Sequence, residues 1–312
     1  MKVLCLTNMY PTDLEPWFGS FVRDQVEELR AIDIEVDVLS FDGRRANSAY
    51  AGAVLSLRRA LQRDPTYDIV HAHFGLTGAV ASTQQKLPVI TTFHGTDAGH
   101  VRWKRNISWL VARRTIPIFV SERGAEVLGL RGAPVIPAGV DTTLFTPGDR
   151  VEARRSLGWK EEGTYLLFPG APSVAVKNVR LFDAVVEELR ERGHEVSPVH
   201  LAGYSRQEVA HVMRAVDALV MTSISEGSPV AVKEALASGT RVVSVDVGDV
   251  RSVIGGLAGC AICERDREAL ADGILSVLDA ELDLDALVRR ASDYSQRHMA
   301  ERVARIYEKV AA

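Results

Sequence analysis

Short apolar runs alternate with segments of helical period along almost the whole chain, and this alternation restricts the possible folds more than any other feature. Runs at 3–6, 36–39, 69–71, 89–92, 118–120 and 135–136 have strand length, while 21–30, 54–62 and 108–114 carry helical spacing between them. After a pause, strand-like runs resume at 165–168, 199–201, 218–221, 242–245 and 261–263, joined by helical patterns at 181–190, 267–278 and 284–290. A strand buried on both faces reads as a continuous apolar run, and parallel neighbours need a helical crossover between them. The pattern therefore predicts an α/β chain of parallel sheets covered by helices on both faces. A last helix, 299–310, puts Val303, Ile306, Tyr307 and Val310 on one stripe.

The pause lies at 139–149, where turn formers replace periodicity. A chain of 312 residues fits two domains. The expected division is 1–147, 148–294 and a C-terminal helix at 295–312 that crosses back to the first domain. Two doubly wound halves place a ligand crevice at the carboxyl ends of their strands.

Composition narrows the function. The hydrophobic share of 46% and charged share of 25% are those of a soluble globular protein, and a net charge of −4 argues against nucleic acid as a partner. Charge is uneven: residues 1–150 hold 17 Lys and Arg against 16 Asp and Glu, and the remainder 20 against 25. No stretch approaches the ~20 apolar residues of a membrane span, and 1–7 reads as a strand rather than a signal peptide. Three cysteines make no disulfide framework, so a cytoplasmic setting is expected. Cys260 and Cys263 form a CxxC in a strand-like run without a second ligand pair, and read as strand residues.

The segment 225–234 carries the strongest chemical signal. Glu226 and Glu234 lie eight positions apart across a Gly227-Ser228-Pro229 turn that opens a helix. Pro229 suits the first helical position and Ser228 the cap before it. Amides at such a helix start bind anions, and Glu234 lies about 7–8 Å further along at ~1.5 Å per residue. A phosphate at the helix start would continue into a ribose at Glu234, with Glu226 facing the group on the other end of the phosphates.

Further candidates follow other strands. Lys177 precedes the next helix, where a cation opposes the helix dipole unless a bound pyrophosphate reverses the sign; the same residue also fits a solvated lysine at a helix edge. His94 follows a strand in Phe93-His94-Gly95, with Thr96 or Asp97 able to orient its ring. His71 and His73 alternate at another strand end and read as structural or crevice-lining. Gly19 and Ser20 offer amides at an early helix start, and no GxGxxG is present to suggest a nicotinamide or flavin. Segment 102–114 holds five cations, two tryptophans and no acid, which fits an inward-packed amphipathic helix or an anionic membrane surface.

Taken in order, these pieces resemble glycosyltransferase family 4, the retaining nucleotide-sugar transferases of the GT-B fold. The resemblance rests on Gly19-Ser20-Phe21, Val70-His71-Ala72-His73-Phe74, Phe93-His94-Gly95, Ile136-Pro137-Ala138-Gly139-Val140-Asp141 with Phe145-Thr146-Pro147, Lys177 and the two-glutamate segment. It implies two Rossmann-like domains facing a central cleft. It also implies a UDP-sugar or similar donor, with a small molecule, glycan or lipid as acceptor, and neither metal nor cofactor. By the same resemblance, Glu234 binds ribose and Glu226 the donor sugar, while Gly227, Ser228 and Val230 belong to the turn that meets diphosphate and sugar. Lys177 and Gly19 approach the diphosphate, and His94 stands near the anomeric carbon. The family usually has Gly-Arg before the lysine; here the pair is Gly170-Ala171, so one cation is missing or comes from elsewhere, with Arg180 and Arg206 as sources. Ala171 leaves room for a non-catalytic nucleotide-sugar-binding scaffold, and the fold itself also suits an epimerase or hydrolase. A peripheral contact with the inner membrane surface is expected through 102–114.

Overall fold

The computed structural model describes residues 1–15, 17–44, 48–95 and 101–311. They divide into two units, Met1–Gly139 with Gln296–Ala312, and Val140–Ser295. In the first, the elements run β1 (Lys2–Thr7), α1 (Ser20–Ala31), β2 (Glu35–Ser40), α2 (Ser48–Arg63), β3 (Ile69–His73), α3 (Gly75–Ala81), β4 (Val89–Phe93), α4 (Arg102–Ala112), β5 (Ile116–Phe119) and α5 (Glu122–Val127). The sheet order is β2-β1-β3-β4-β5, every pair parallel.

The second unit continues with α6 (Arg150–Ser156), β6 (Thr164–Phe168), α7 (Val179–Glu191), β7 (Val196–His200), α8 (Arg206–Ala215), β8 (Ala218–Met221), α9 (Val230–Ala237), β9 (Arg241–Val245), α10 (Val250–Ile254), β10 (Cys260–Cys263), α11 (Arg267–Asp279) and α12 (Leu284–Ser292). Its sheet, β10-β9-β8-β6-β7, is also parallel throughout. Each unit is thus a Rossmann-like α/β layer structure. Its strand order reverses at one point, between β1 and β3 in the first unit and between β6 and β8 in the second.

The run at 135–136 forms no strand. Val135 makes a single parallel bridge to Phe119, because Pro134 and Pro137 on either side have no N–H for a ladder. The passage into the second unit comes at Val140, ahead of the turn residues at 146–149. Val140 and Phe145 are already core residues there, and Val140 N–H donates to the Tyr294 carbonyl at 2.8 Å.

The closing helix α13 (Gln296–Ala311) belongs to the first unit. Met299, Ala300, Val303 and Tyr307 pack with Val22, Val26 and Leu29 of α1 on one face of the first sheet, while α2 and α3 cover the other face. Tyr307 is 1% exposed, and its hydroxyl lies 2.5 Å from His71 Nδ1. Tyr307→Ala should cost about 3–5 kcal/mol by emptying this contact. Tyr307→Phe, which keeps the ring but leaves a buried nitrogen of His71 without its partner, should cost about 1–3 kcal/mol. Urea denaturation midpoints of the two variants check the order.

Candidate functional site

In the second unit the strand order reverses between β6 and β8, and the loops that leave these two strands run side by side. The first ends in a 3₁₀ turn, Ala175–Lys177, followed by Asn178 in the left-handed region at φ 58°, a conformation asparagine accepts more readily than most residues. The Thr222 hydroxyl bonds the carbonyls of Lys177 (3.0 Å) and Asn178 (3.1 Å), and Ile224 N–H donates to the Val176 carbonyl at 2.8 Å. The two loops therefore hold each other. Their side chains meet as well: Lys177 Nζ donates to Glu226 Oε1 at 2.8 Å, and Ser223 Oγ donates to the same oxygen at 2.7 Å. Gly170 has a packing reason of its own, since a Cβ there would lie 3.1 Å from Lys177 Cγ. The lysine stem rests on that glycine.

The turn after Glu226 differs from the cap expected at Ser228. Helix α9 begins at Val230 with Pro229 as the capping residue, so Ser228 stands one position before the cap. Instead Ser228 Oγ donates to Asp249 Oδ2 (2.6 Å) and accepts from Lys233 Nζ (2.6 Å), which also pairs with Asp249 at 2.8 Å. A fully buried lysine demands a partner of this kind, and the ion pair outcompetes the weak cap. Behind the turn, Gly248 sits at φ 57°, and a Cβ on it would fall 2.6 Å from the Gly227 carbonyl oxygen. The Glu226–Ser228 turn is thus backed by a glycine and tied by a buried ionic cluster.

Glu234 is 7% exposed on α9, with Arg206 Nη1 at 3.5 Å from its Oε1. Arg206 opens α8, whose start is fixed by a capping box between Ser205 and Glu208. Arg180 is exposed on α7, and Ala171 occupies a turn closed by Val174 N–H. A further cation, Arg265, donates to the carbonyls of Ser223 (3.0 Å) and Ile224 (3.2 Å). Thr222, Ser223, Lys233, Asp249 and Arg265 were not singled out from the sequence. A lysine on the buried side of α9 was the one signal available.

In the first unit, Gly19 caps α1 at φ 74°, and a Cβ there would fall 2.5 Å from the Met9 carbonyl. Only glycine fits. His94 follows β4 and packs against Phe21 (4.9 Å between centroids) and Phe74 (4.7 Å). Its Nε2 lies 3.0 Å from His73 Nδ1, and His73 in turn stacks on His71 at 4.6 Å. His73 Nε2 is buried without a partner among the described residues. A bare lone pair costs less than an orphan N–H, so the His73 proton belongs on Nδ1 and is donated to His94 Nε2. Thr96 and Asp97, expected to orient His94, lie outside the described residues. Cys260 and Cys263 are strand residues of β10 with free thiols, and burial pushes the Cys260 thiol up to about 11. In α4, Ser108, Val111 and Ala112 are buried, whereas Trp103 (52%) and Trp109 (46%) stand exposed. The inward-packed stripe exists, and the tryptophans are not part of it.

Residues 19–144 match the family described as Glycosyltransferase Family 4, and residues 163–280 match Glycosyl transferases group 1. Among curated relatives, TuaC of Bacillus subtilis, assigned as a teichuronic acid biosynthesis glycosyltransferase, is 24% identical over 88% of both chains. A D-inositol 3-phosphate glycosyltransferase of Geodermatophilus obscurus is 28% identical over 78% of this chain, which spans 66% of that relative's length. Solved structures of the same fold include sucrose-phosphate synthase of Thermosynechococcus elongatus, with a TM-score of 0.82 at 15% identity, covering 99% of each chain. HepE of Anabaena, solved with UDP and with UDP-glucose, has a TM-score of 0.73 at 16% identity, covering 99% of this chain and all of its own. The chain belongs to the family 4 glycosyltransferases, and its fold is the GT-B pair of Rossmann-like domains.

Burial holds His71 well below the ordinary histidine range and His73 down to about 3. Unfolded histidine takes up its proton near 6.5, so the stability these residues contribute is complete above that value and is lost as pH falls toward 3. His73 alone should contribute a slope of about 1.4 kcal/mol per pH unit in that window. Denaturation midpoints measured from neutral pH downward should fall steadily, and His73→Asn should remove about one proton from the slope.

Proposed function

We propose that the protein is a retaining glycosyltransferase that moves a sugar from a nucleoside diphosphate, with UDP-sugars the leading class, to an acceptor hydroxyl without a metal. The observation that carries this reading is the Lys177–Glu226 pair at 2.8 Å on the reversal point of the second sheet, with Glu234 eight residues further along. Doubly wound sheets bind their ligands at that crevice, and HepE, which shares the fold, was solved with UDP and UDP-glucose.

The roles follow from charge. Lys177 and the amides opening α9 stabilise negative charge as it grows on the departing diphosphate. Glu226 accepts hydrogen bonds from sugar hydroxyls and Glu234 from the ribose, while Gly227, Ser228 and Val230 supply the turn. Gly19 allows close backbone approach to the diphosphate, and neutral His94 stands beside the anomeric carbon. The bond from that carbon to the phosphate oxygen breaks and the acceptor oxygen bonds on the same face. The acceptor proton passes to the diphosphate oxygen. Arg180 and Arg206, together with Arg265 beside the Ser223 carbonyl, are the cations that can stand in for the arginine missing at Ala171.

Among the described residues no helix is long and apolar enough to cross a membrane. The proposed setting is the cytoplasm, with segment 102–114 touching the inner membrane surface.

Two variants test the roles. Glu234→Ala should raise the donor KM roughly ten- to hundredfold with kcat nearly kept, and Glu226→Ala should lower kcat more than it raises KM. Melting temperatures across a panel of nucleotide-sugars identify the donor by the stabilisation it confers. Wild-type kinetics in both variants would contradict the assignment, and donor-induced stabilisation without transfer to any acceptor would favour the non-catalytic scaffold.

A further inference from the structure

The first unit carries an apolar groove of about 420 Å³ within the size range of ligand sites. Tyr50 and Val54 of α2, Leu76 and Val80 of α3, and Trp103 of α4 line it. Tyr50, Leu76 and Trp103 lie in the opening turns of helices that follow β2, β3 and β4, so this end of the groove sits toward the carboxyl edge of the sheet, while Val80 lies at the closing end of α3. That is the edge His94 also follows.

The helices that line it carry charge of one sign. Helix α2 contains Arg58, Arg59 and Arg63, helix α4 contains Arg102, Lys104 and Arg105, and neither these helices nor α3 has an acid. Lys104 Nζ stands 5.6 Å from the centre of the Trp103 ring. Large apolar side chains remain in solvent on the same helices: Leu55 is 55% exposed, Trp103 52% and Leu110 40%. Trp103 and Leu110 are seven residues apart and share one face of α4. Apolar surface exposed beside cations that have no acidic partner among the described residues is complementary to an amphiphile with an anionic head.

We propose that this groove seats the apolar chain of an anionic membrane lipid, whose headgroup is held by Arg102, Lys104 and Arg105. The inference rests on the membrane contact proposed above and gives it a ligand and a place. It needs no donor and no transfer. Trp103 forms the wall between chain and headgroup, which is where an amphipathic indole is stable in a bilayer.

The test uses the full chain and vesicles of phosphatidylcholine with and without phosphatidylglycerol. The protein should sediment with the anionic vesicles and stay in solution with the neutral ones. Replacing Arg102→Gln, Lys104→Gln and Arg105→Gln together should weaken this binding about a hundredfold. Ala51→Trp, which fills the groove with the charges intact, should weaken it about tenfold. Brominated phosphatidylglycerol chains should quench tryptophan fluorescence, and Trp103→Phe should remove most of that quenching. Melting temperatures show that each variant is folded, and stabilisation by nucleotide-sugars should be the same in all of them. Anionic binding unchanged by Ala51→Trp and Trp103→Phe would overturn the groove while leaving a membrane contact. Absence of vesicle binding would overturn both, and a dimer abolished by Ala51→Trp would assign the groove to a second copy. None of these results bears on donor binding.

Discussion

Parallel strand pairing is the constraint on which the rest of this molecule depends. A parallel neighbour can be reached only through a crossover, so every strand in a sheet presents its carboxyl end at the same edge. In the second unit β7 and β8 pair on opposite sides of β6. The loops leaving β6 and β8 then start side by side at the carboxyl edge, before their helices part to opposite faces of the sheet, and they carry Lys177 and Glu226. The Thr222 hydroxyl and the Ile224–Val176 bond turn that proximity into a fixed distance. No long-range device is needed to assemble the pair, because sheet order has already done so.

Rigidity behind the turn comes from a buried ion pair and a close backbone contact. Lys233, Asp249 and Ser228 form a buried cluster, and removing Lys233 or Asp249 would leave the other's charge uncompensated. Gly248 allows the loop after β9 to touch the Gly227 backbone directly. The turn that precedes α9 is therefore held from below by ionic bonds and from the side by close backbone contact. Helix α13 plays the comparable part in the first unit: its Tyr307 reaches His71 beneath the imidazole stack that ends at His94.

Most of the fold was legible in the sequence because fully buried parallel strands are apolar throughout, and 165–168, 218–221 and 242–245 show this plainly. The run at 135–136 misled because apolar content does not reveal a missing N–H on both sides. The short helices α3, α5 and α10 escaped because five to seven residues carry too little periodicity to register. At the site, Glu226, Glu234, Lys177 and His94 stood out by their spacing from strands and glycines. The Ser228 cap was misread for a physical reason: a serine before a helix prefers the cap only when no stronger partner competes, and Lys233 with Asp249 is such a partner. Thr222, Ser223 and Arg265 act through tertiary contacts that leave no local pattern.

In the proposed function one cation and one carboxylate, 2.8 Å apart, divide the donor between them, Lys177 taking the diphosphate and Glu226 the sugar. Their charges are coupled, so the carboxylate weakens the lysine's hold on a bare diphosphate. Calorimetric titration of uridine diphosphate and its sugar derivatives into wild type and Glu226→Gln measures this directly. The variant should bind the bare nucleoside diphosphate roughly tenfold more tightly and lose the extra affinity that the sugar confers. Unchanged affinity for the nucleoside diphosphate together with an intact sugar increment would contradict it.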